Sequence, residues 1–499
     1  MSYFGIPIRN GLPIGLGSVA PLASGSGSPF SPLSLFSGGA PGAWYDPSDY
    51  GATGTLFQDS AGTTPVTAVE QPVGLMLDKS QGLVLGSEIL TNGTFESSIA
   101  GWTAGAGSAA WVAGTAQITG SAGVIARLYQ GMTLTAGKWY LMTATCVSTT
   151  DASATLEFLG GSVSTTFTSG QTKNLYFTPA STGTFYAQVR NTNAGAVVSA
   201  FDNISVKELA GNHAFQATSA SRPVLSARVN KLLATAALAT QSVTTRATAH
   251  TLRFEGAGSV TLTGTAIGVY TAGTHSITTT AGTLTLTVLG SVTSADLRET
   301  NDGVGVPAYQ AVVTSTNYAT TGFLPYLKFD GVDDSLSTNS ISFTATDKMS
   351  VFAGVRKLVS GLAVVSELSV NAGANNGAFL VPVDYSSNDF TYFSRGTATV
   401  AVSTTAVYAA PVTAVVTGLS DIAAPFASVR VNGSLKTTSA TSQGTGNYGN
   451  YPLYIGRRAG SSFPFNGQLY SMIIVGKAVT AGELSSTEAY VNQKTGAYA

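Results

Sequence analysis

The sequence predicts an all-β chain: several antiparallel β-sandwich modules behind an extended N-terminal peptide, closed by one short C-terminal helix. Three observations lead there. Short runs rich in Thr, Val, Ile, Leu and Tyr, such as HTLRFEG, GSVTLTGT and GTLTLTVLG, alternate apolar and hydroxyl residues. That period of two is the mark of a half-buried antiparallel strand. Gly, Asn-Gly and Ser-Gly turns punctuate the runs from residue 43 onward. Finally, the chain has 499 residues but only 10% charged ones, so its surface is solvated by hydroxyls and amides rather than ions.

Composition also excludes several classes. With Lys+Arg 24 against Asp+Glu 25, the net charge is -1, which gives no basic footprint for nucleic acid. A hydrophobic fraction of 44% excludes disorder through charge excess. A single cysteine, Cys146, leaves no intrachain disulfide and no cysteine-based zinc site. No run reaches the roughly 18 apolar residues of a membrane-spanning helix, so no membrane insertion is expected. Arg9 and the following GLPIGLGSVAPLAS resemble a signal peptide, but Pro13 and Pro21 break its apolar stretch.

Residues 1–42 are apolar and interrupted by Pro or Gly every few positions, too sparse in local contacts to fold alone. Their composition suits a floppy leader. Phe4, Ile6, Ile8, Leu12, Ile14 and Leu16 nevertheless roughly alternate, which suits an extended peptide laid along a groove or sheet edge of a partner. An anchoring peptide is the preferred reading. At the other end, Thr480 can cap a helix with Glu483 three positions later, over AGELSSTEAYVNQKT, and Gly496 is its stop.

Between these ends lie three modules. ILTNGTFESSIAGWT at 89–103 opens a block closed by FDNISVKEL at 201–209. The block resembles carbohydrate-binding-module-like jelly rolls, which open on N-G-x-F-E…G-W and close on D-N-I-x-V. The resemblance implies a sandwich over 86–209 and a structural calcium near Glu96 and Asp202, although two carboxylates are few for an ion taking about six to eight oxygens. Residues 231–303 form Thr-rich hairpins, expected to make a small sandwich serving as a spacer. YLKFDGVDDSLST at 326–338 and PLYIGRRAGSSFPFNGQLYSMIIVGKAVTAGEL at 452–484 are similar to the concanavalin A-like (laminin-G-like) lectin sandwich, assigned to 304–499. AWYDPSD, LFQDSAGTTPV and QPVGLMLDKSQG look like the lead-in such domains carry in phage proteins, placed at 43–85 and resumed at 210–230 by GNHAFQATSASRPVL. Both intervening blocks therefore read as insertions.

No catalytic phrase accompanies His213, His250 or His275, each expected at the surface or in a turn, and no enzyme activity is expected. Asp330, Asp333 and Asp334 read as a turn with a cation as the alternative; no metal or other cofactor is assigned. Trp44, Trp102 and Trp139 are expected in cores. Trp111, and Tyr448, Tyr451, Arg457 and Arg458, remain as candidate ligand contacts, because Tyr and Arg are favoured at recognition surfaces.

The combination resembles a bacteriophage virion protein of tail-fibre or tail-spike type. That implies attachment to other virion proteins (a tail adaptor or nozzle, or the capsid) through residues 1–42. It also implies a homotrimer facing host-surface polysaccharide, located on the virion. A capsid head fibre or decoration protein would use the same parts. A capsule depolymerase would need a β-helical repeat and a carboxylate pair that are not visible, and a free secreted adhesin would need a signal peptide.

Overall fold

A computed structural model describes residues 30–159, 163–300, 302 and 305–499. The anchor candidates Phe4, Ile6, Ile8, Leu12, Ile14 and Leu16 lie outside the described residues.

The described chain is antiparallel β-structure with one α-helix, Ala481–Thr495. Thr480 accepts from the Glu483 N–H while Glu483 reaches back to the Thr480 N–H, and Gly496 ends the helix in the left-handed region at φ 60°. The reciprocal cap satisfies two otherwise orphaned donors.

Two nine-stranded sheets make the largest body. The first centres on Asn466–Val475, flanked by Tyr326–Asp330 and Lys348–Lys357. The second centres on Asn450–Ile455, between Leu336–Ser342 and Ala363–Leu368. Leu327, Phe343, Val351, Leu368, Phe379 and Met472 fill the space between them. Early segments complete both sheets. Gly42–Tyr45 pairs with Asn466–Val475, and Gln71–Pro72 with Val224–Ser226, which in turn pairs with Tyr326–Asp330. In the second sheet, Leu75–Met76 pairs with Ala214–Phe215, and that strand with Leu336–Ser342.

Residues 85–209 leave and re-enter this body between Leu75–Met76 and Ala214–Phe215, and form a sandwich of a six-stranded and a five-stranded sheet. Its own core holds Phe95, Trp102, Leu128, Phe158, Leu175 and Phe201. It rests on the large sandwich through a separate apolar cluster of Phe57, Leu75, Leu77, Trp139, Tyr176 and Leu209. Asn339 Nδ2 adds hydrogen bonds to Gly137 O (3.0 Å) and Thr178 Oγ1 (2.8 Å) across that junction.

The Thr-rich block is one five-stranded sheet bent on itself, not two separate sheets. The long strand Ala249–Gly264 pairs with Thr293–Glu299 along its first half and Gly282–Leu289 along its second. The change of partner falls at Gly256–Gly258, where a Cβ on residue 258 would lie 2.6 Å from Leu289 O. A side chain there would therefore block the bend. Arg356, fully buried in the large sandwich, reaches Glu299 of this block at 2.8 Å.

Two histidines depart from expectation. His213 and His250 are buried, because each lines a packing seam that folding creates between distant segments. His213 Nδ1 accepts the Asp78 N–H at 2.9 Å and its ring packs on Trp139 at 5.4 Å. Desolvation pushes its pKa down to about 3, so it stays neutral. Burial likewise pushes the Cys146 thiol up to about 11, which removes it as a nucleophile near neutral pH.

Candidate functional site

Most of the residues singled out in the large sandwich are consumed by the fold. Tyr448 is only 1% exposed, and its Oη lies 2.6 Å from both Ser394 Oγ and Ser420 Oγ. It is a core residue and offers no ligand contact: the strand partners of NYGNYPLY turn this tyrosine inward, which burial in a local sequence cannot reveal. Tyr451 is partly buried against the same core and donates to Asn376 O at 3.0 Å. Arg457 donates to Asp333 O (3.3 Å) and Ser461 O (2.5 Å). Arg458 donates to Asn371 Oδ1 at 3.1 Å and sits 3.7 Å from the fully buried Glu367. These arginines tie loops together.

The acidic trio is also occupied by its own turn. Asp330, Asp333 and Asp334 bring carboxylate oxygens within 4.8 Å of one another. Asp330 Oδ1 accepts from the Val332 N–H, Asp334 Oδ2 from the Asp330 N–H, and Asp333 Oδ2 from Ser221 Oγ, at 2.8, 2.9 and 2.8 Å. Burial, and then repulsion from Asp330 and Asp333, push Asp334 up to about 7. Glu96 is exposed and Asp202 bonds its own neighbour Asn203 at 2.7 Å, so neither joins an acidic cluster among the described residues.

Trp111 is 43% exposed on the strand Ser108–Val112, at the edge of the six-stranded sheet. Its Nε1 donates to Phe95 O at 2.6 Å, so its polar atom is taken. Trp44, Trp102 and Trp139 are buried.

The arrangement that fits a ligand lies on the outward face of the five-stranded sheet, which the sequence reading missed. Three of its strands, Ala154–Leu159, Gly183–Asn191 and Arg127–Leu134, run side by side. Alternation buries Leu128, Met132, Ala187, Val189, Leu156 and Phe158, and turns the intervening residues outward. Register then builds three outward rows: Arg127 opposite Arg190; Tyr129, Gln188 and Glu157; and Gly131, Tyr186 and Leu159. Two adjoining hollows of about 450 and 380 Å³ cross these rows and share Arg127, Leu159 and Gln188.

Tyr129 and Tyr186 meet edge to face at 5.5 Å, and Tyr186 is 37% exposed. Gly131 lies beneath this pair, and a Cβ there would sit in ordinary contact with the Tyr186 ring at 3.4 Å. Glu157 Oε2 accepts from Arg190 Nε at 2.8 Å and from Gln188 Nε2 at 2.9 Å. Gln188 is 2% exposed, and its Oε1 has no hydrogen-bond partner. A buried unmet acceptor costs about 1–3 kcal/mol, which a ligand hydroxyl would recover. The signal was present locally as R-x-Y-x-G at 127–131 and Y-x-Q-x-R at 186–190, large polar residues on one side of a strand.

A larger hollow of about 570 Å³ between the Thr-rich block and the large sandwich is less suited. Its Arg228 is spent on the carbonyls of Asn230, Ser315, Lys231 and Leu232, and its Glu299 on Arg356 and Lys231.

Comparison with known proteins bears on the large sandwich. The family described as the concanavalin A-like lectin/glucanases superfamily (Laminin_G_3) matches residues 330–485, so this stretch of the chain is similar to that family. A search of the curated proteins found no relative. Among solved structures, the heptameric SAP-like pentraxin from Limulus polyphemus is similar at 14% identity and TM-score 0.27, over 32% of this chain and 78% of that one. The NanB sialidase from Streptococcus pneumoniae shows 15% identity and TM-score 0.26, over 32% and 27%. The Ruminococcus gnavus IT-sialidase CBM40, bound to alpha2,3 sialyllactose, shows 14% and 0.24, over 30% and 97%. Likenesses of this size say nothing about a ligand of this chain.

Proposed function

We propose that this chain is a non-enzymatic glycan-binding attachment protein of a bacteriophage virion, of tail-fibre or tail-spike type. The outward face of the five-stranded sheet carries the binding half of the reading. A pyranose offers an apolar C–H face and a rim of hydroxyls. The Tyr129–Tyr186 pair, its rings set at 89°, offers one ring face for the first, while Gln188 Oε1 and the arginine N–H groups supply polar partners for the second. The groove is open and shallow, so one copy binds weakly. Linked copies raise avidity by about 10²–10⁴ without new contacts, the use of a homotrimer here. The lectin-like domain supports the same reading through its family. The virion half rests on residues 1–42, whose alternating Phe4, Ile6, Ile8, Leu12, Ile14 and Leu16 suit a peptide held by a tail or capsid protein.

The test is retention on immobilised host-surface polysaccharide, followed by sizing of that polysaccharide after long incubation. Retention with unshortened chains is expected, and Tyr186→Ala is expected to abolish it. Shortened chains would show an enzyme. Residues 30–42 pack on the large sandwich, with Leu35 and Phe36 buried and Gly42 in its sheet. Loss of residues 1–29 alone is expected to leave the sandwiches folded but absent from particles, and incorporation of that truncated chain would refute the anchor.

A further inference from the structure

We infer that the groove on the five-stranded sheet selects a saccharide bearing a carboxylate, a uronate-type residue, and that Arg127 is the group that reads it. The inference rests on the glycan-binding reading of this face and names its ligand class.

Three observations converge. First, the register makes Arg127 and Arg190 direct partners on adjacent antiparallel strands, both facing outward. Like charges in directly opposed positions are destabilising, and this chain has only 24 Lys and Arg in 499 residues from which to place two together. Second, only one of the two is neutralised within the fold. Glu157 pairs with Arg190 at 2.8 Å, whereas the Arg127 guanidinium forms no ion pair or hydrogen bond among the described residues. Third, Arg127 is seated. A Cβ on residue 105 would lie 2.5 Å from Arg127 Cγ and 2.7 Å from its Nε, so the side chain lies across the bare backbone of Gly105. Residue 105 has no positive φ that would demand glycine; the absent side chain serves the arginine stem.

The result is a pre-positioned fork of N–H donors, unpaired among the described residues, one row along from Tyr129 and Gln188. Rows two residues apart on a strand are about 6.8 Å apart. That spacing suits a pyranose ring over the tyrosine row with its C5 carboxylate over Arg127, which planar guanidinium geometry favours. Gln188 Oε1 would then accept a ring hydroxyl. A neutral sugar would leave Arg127 unmatched.

The experiment uses the full-length protein and isothermal titration with oligogalacturonate and oligoglucuronate, each against its carboxyl-reduced counterpart of equal length. At least one acidic oligomer is expected to bind about three- to tenfold tighter than its reduced form. The difference should shrink as salt rises and vanish in Arg127→Gln. Arg127→Gln should not lower the unfolding midpoint, because it loses no partner among the described residues and relieves the like-charge pairing with Arg190. Tyr186→Ala should weaken both forms alike. Equal binding of acidic and reduced forms, or a preference that survives Arg127→Gln, overturns the carboxylate assignment while leaving the groove as a neutral-glycan site. Binding that Tyr186→Ala does not change removes the groove itself as the site. No binding of either acidic oligomer also overturns the inference.

Discussion

Two regions of this molecule are built from the same kinds of side chain and do opposite things with them. The segment 447–458 of the large sandwich and the outward face of the 127–191 sheet both combine tyrosines with a pair of arginines. In the first, Tyr448 Oη is bonded between two buried serines and both arginines bond loop oxygens, leaving the buried Arg457 Nε unmet. In the second, Tyr186 faces solvent, Gln188 keeps an unmet acceptor, and Arg127 has no partner among the described residues. The proposed recognition residues thus differ from the others in unused bonding capacity, not in residue type.

The contrast breaks most sharply at its two tyrosines. Tyr448→Ala empties a fully enclosed site and takes one partner each from Ser394 and Ser420, so the large sandwich should lose about 3–5 kcal/mol in denaturant unfolding. Tyr186→Ala should cost only about 1 kcal/mol, the worth of its edge-to-face contact with Tyr129, while removing glycan retention. If Tyr186→Ala proved as destabilising as Tyr448→Ala, the outward face would be structural after all.

A smaller effect is expected at the acidic turn. The Asp334 pKa is raised in the fold to about 7, above its ordinary 3.8, so the neutral form is the one the fold favours. Its contribution is complete below about pH 4 and is lost as pH rises through 7. Asp334→Asn should therefore leave stability unchanged at pH 4 and raise it by about 1–2 kcal/mol at pH 8. Thermal melts at the two pH values check this, and an equal change at both would remove the charge from the explanation.

The smallest effect is at Trp111, exposed like Tyr186 but with its N–H bonded to Phe95 O. Trp111→Ala should cost about 1 kcal/mol and leave glycan retention unchanged. A loss of retention would extend the binding surface onto the six-stranded sheet.

What the sequence determined alone follows from short-range physics. Alternation in HTLRFEG or GTLTLTVLG writes an antiparallel strand into a few residues, and Thr480, Glu483 and Gly496 write the ends of the C-terminal α-helix, since caps act within one turn. Trp139 could be assigned to a core because it sits inside an apolar strand, and Trp44 and Trp102 because the families their phrases resemble pack those positions. Tertiary structure decided which polar groups remain free. His213 and Tyr448 look like surface residues until segments far apart close over them, as Asp78 does on His213 across 135 residues. The groove is assembled from strands beginning at 127, 154 and 183, and its rows exist only once register aligns Arg127 with Arg190 and Tyr129 with Gln188. Burial and bonding are properties of what lies opposite a residue, and in a sheet the opposite residue is chosen by the fold.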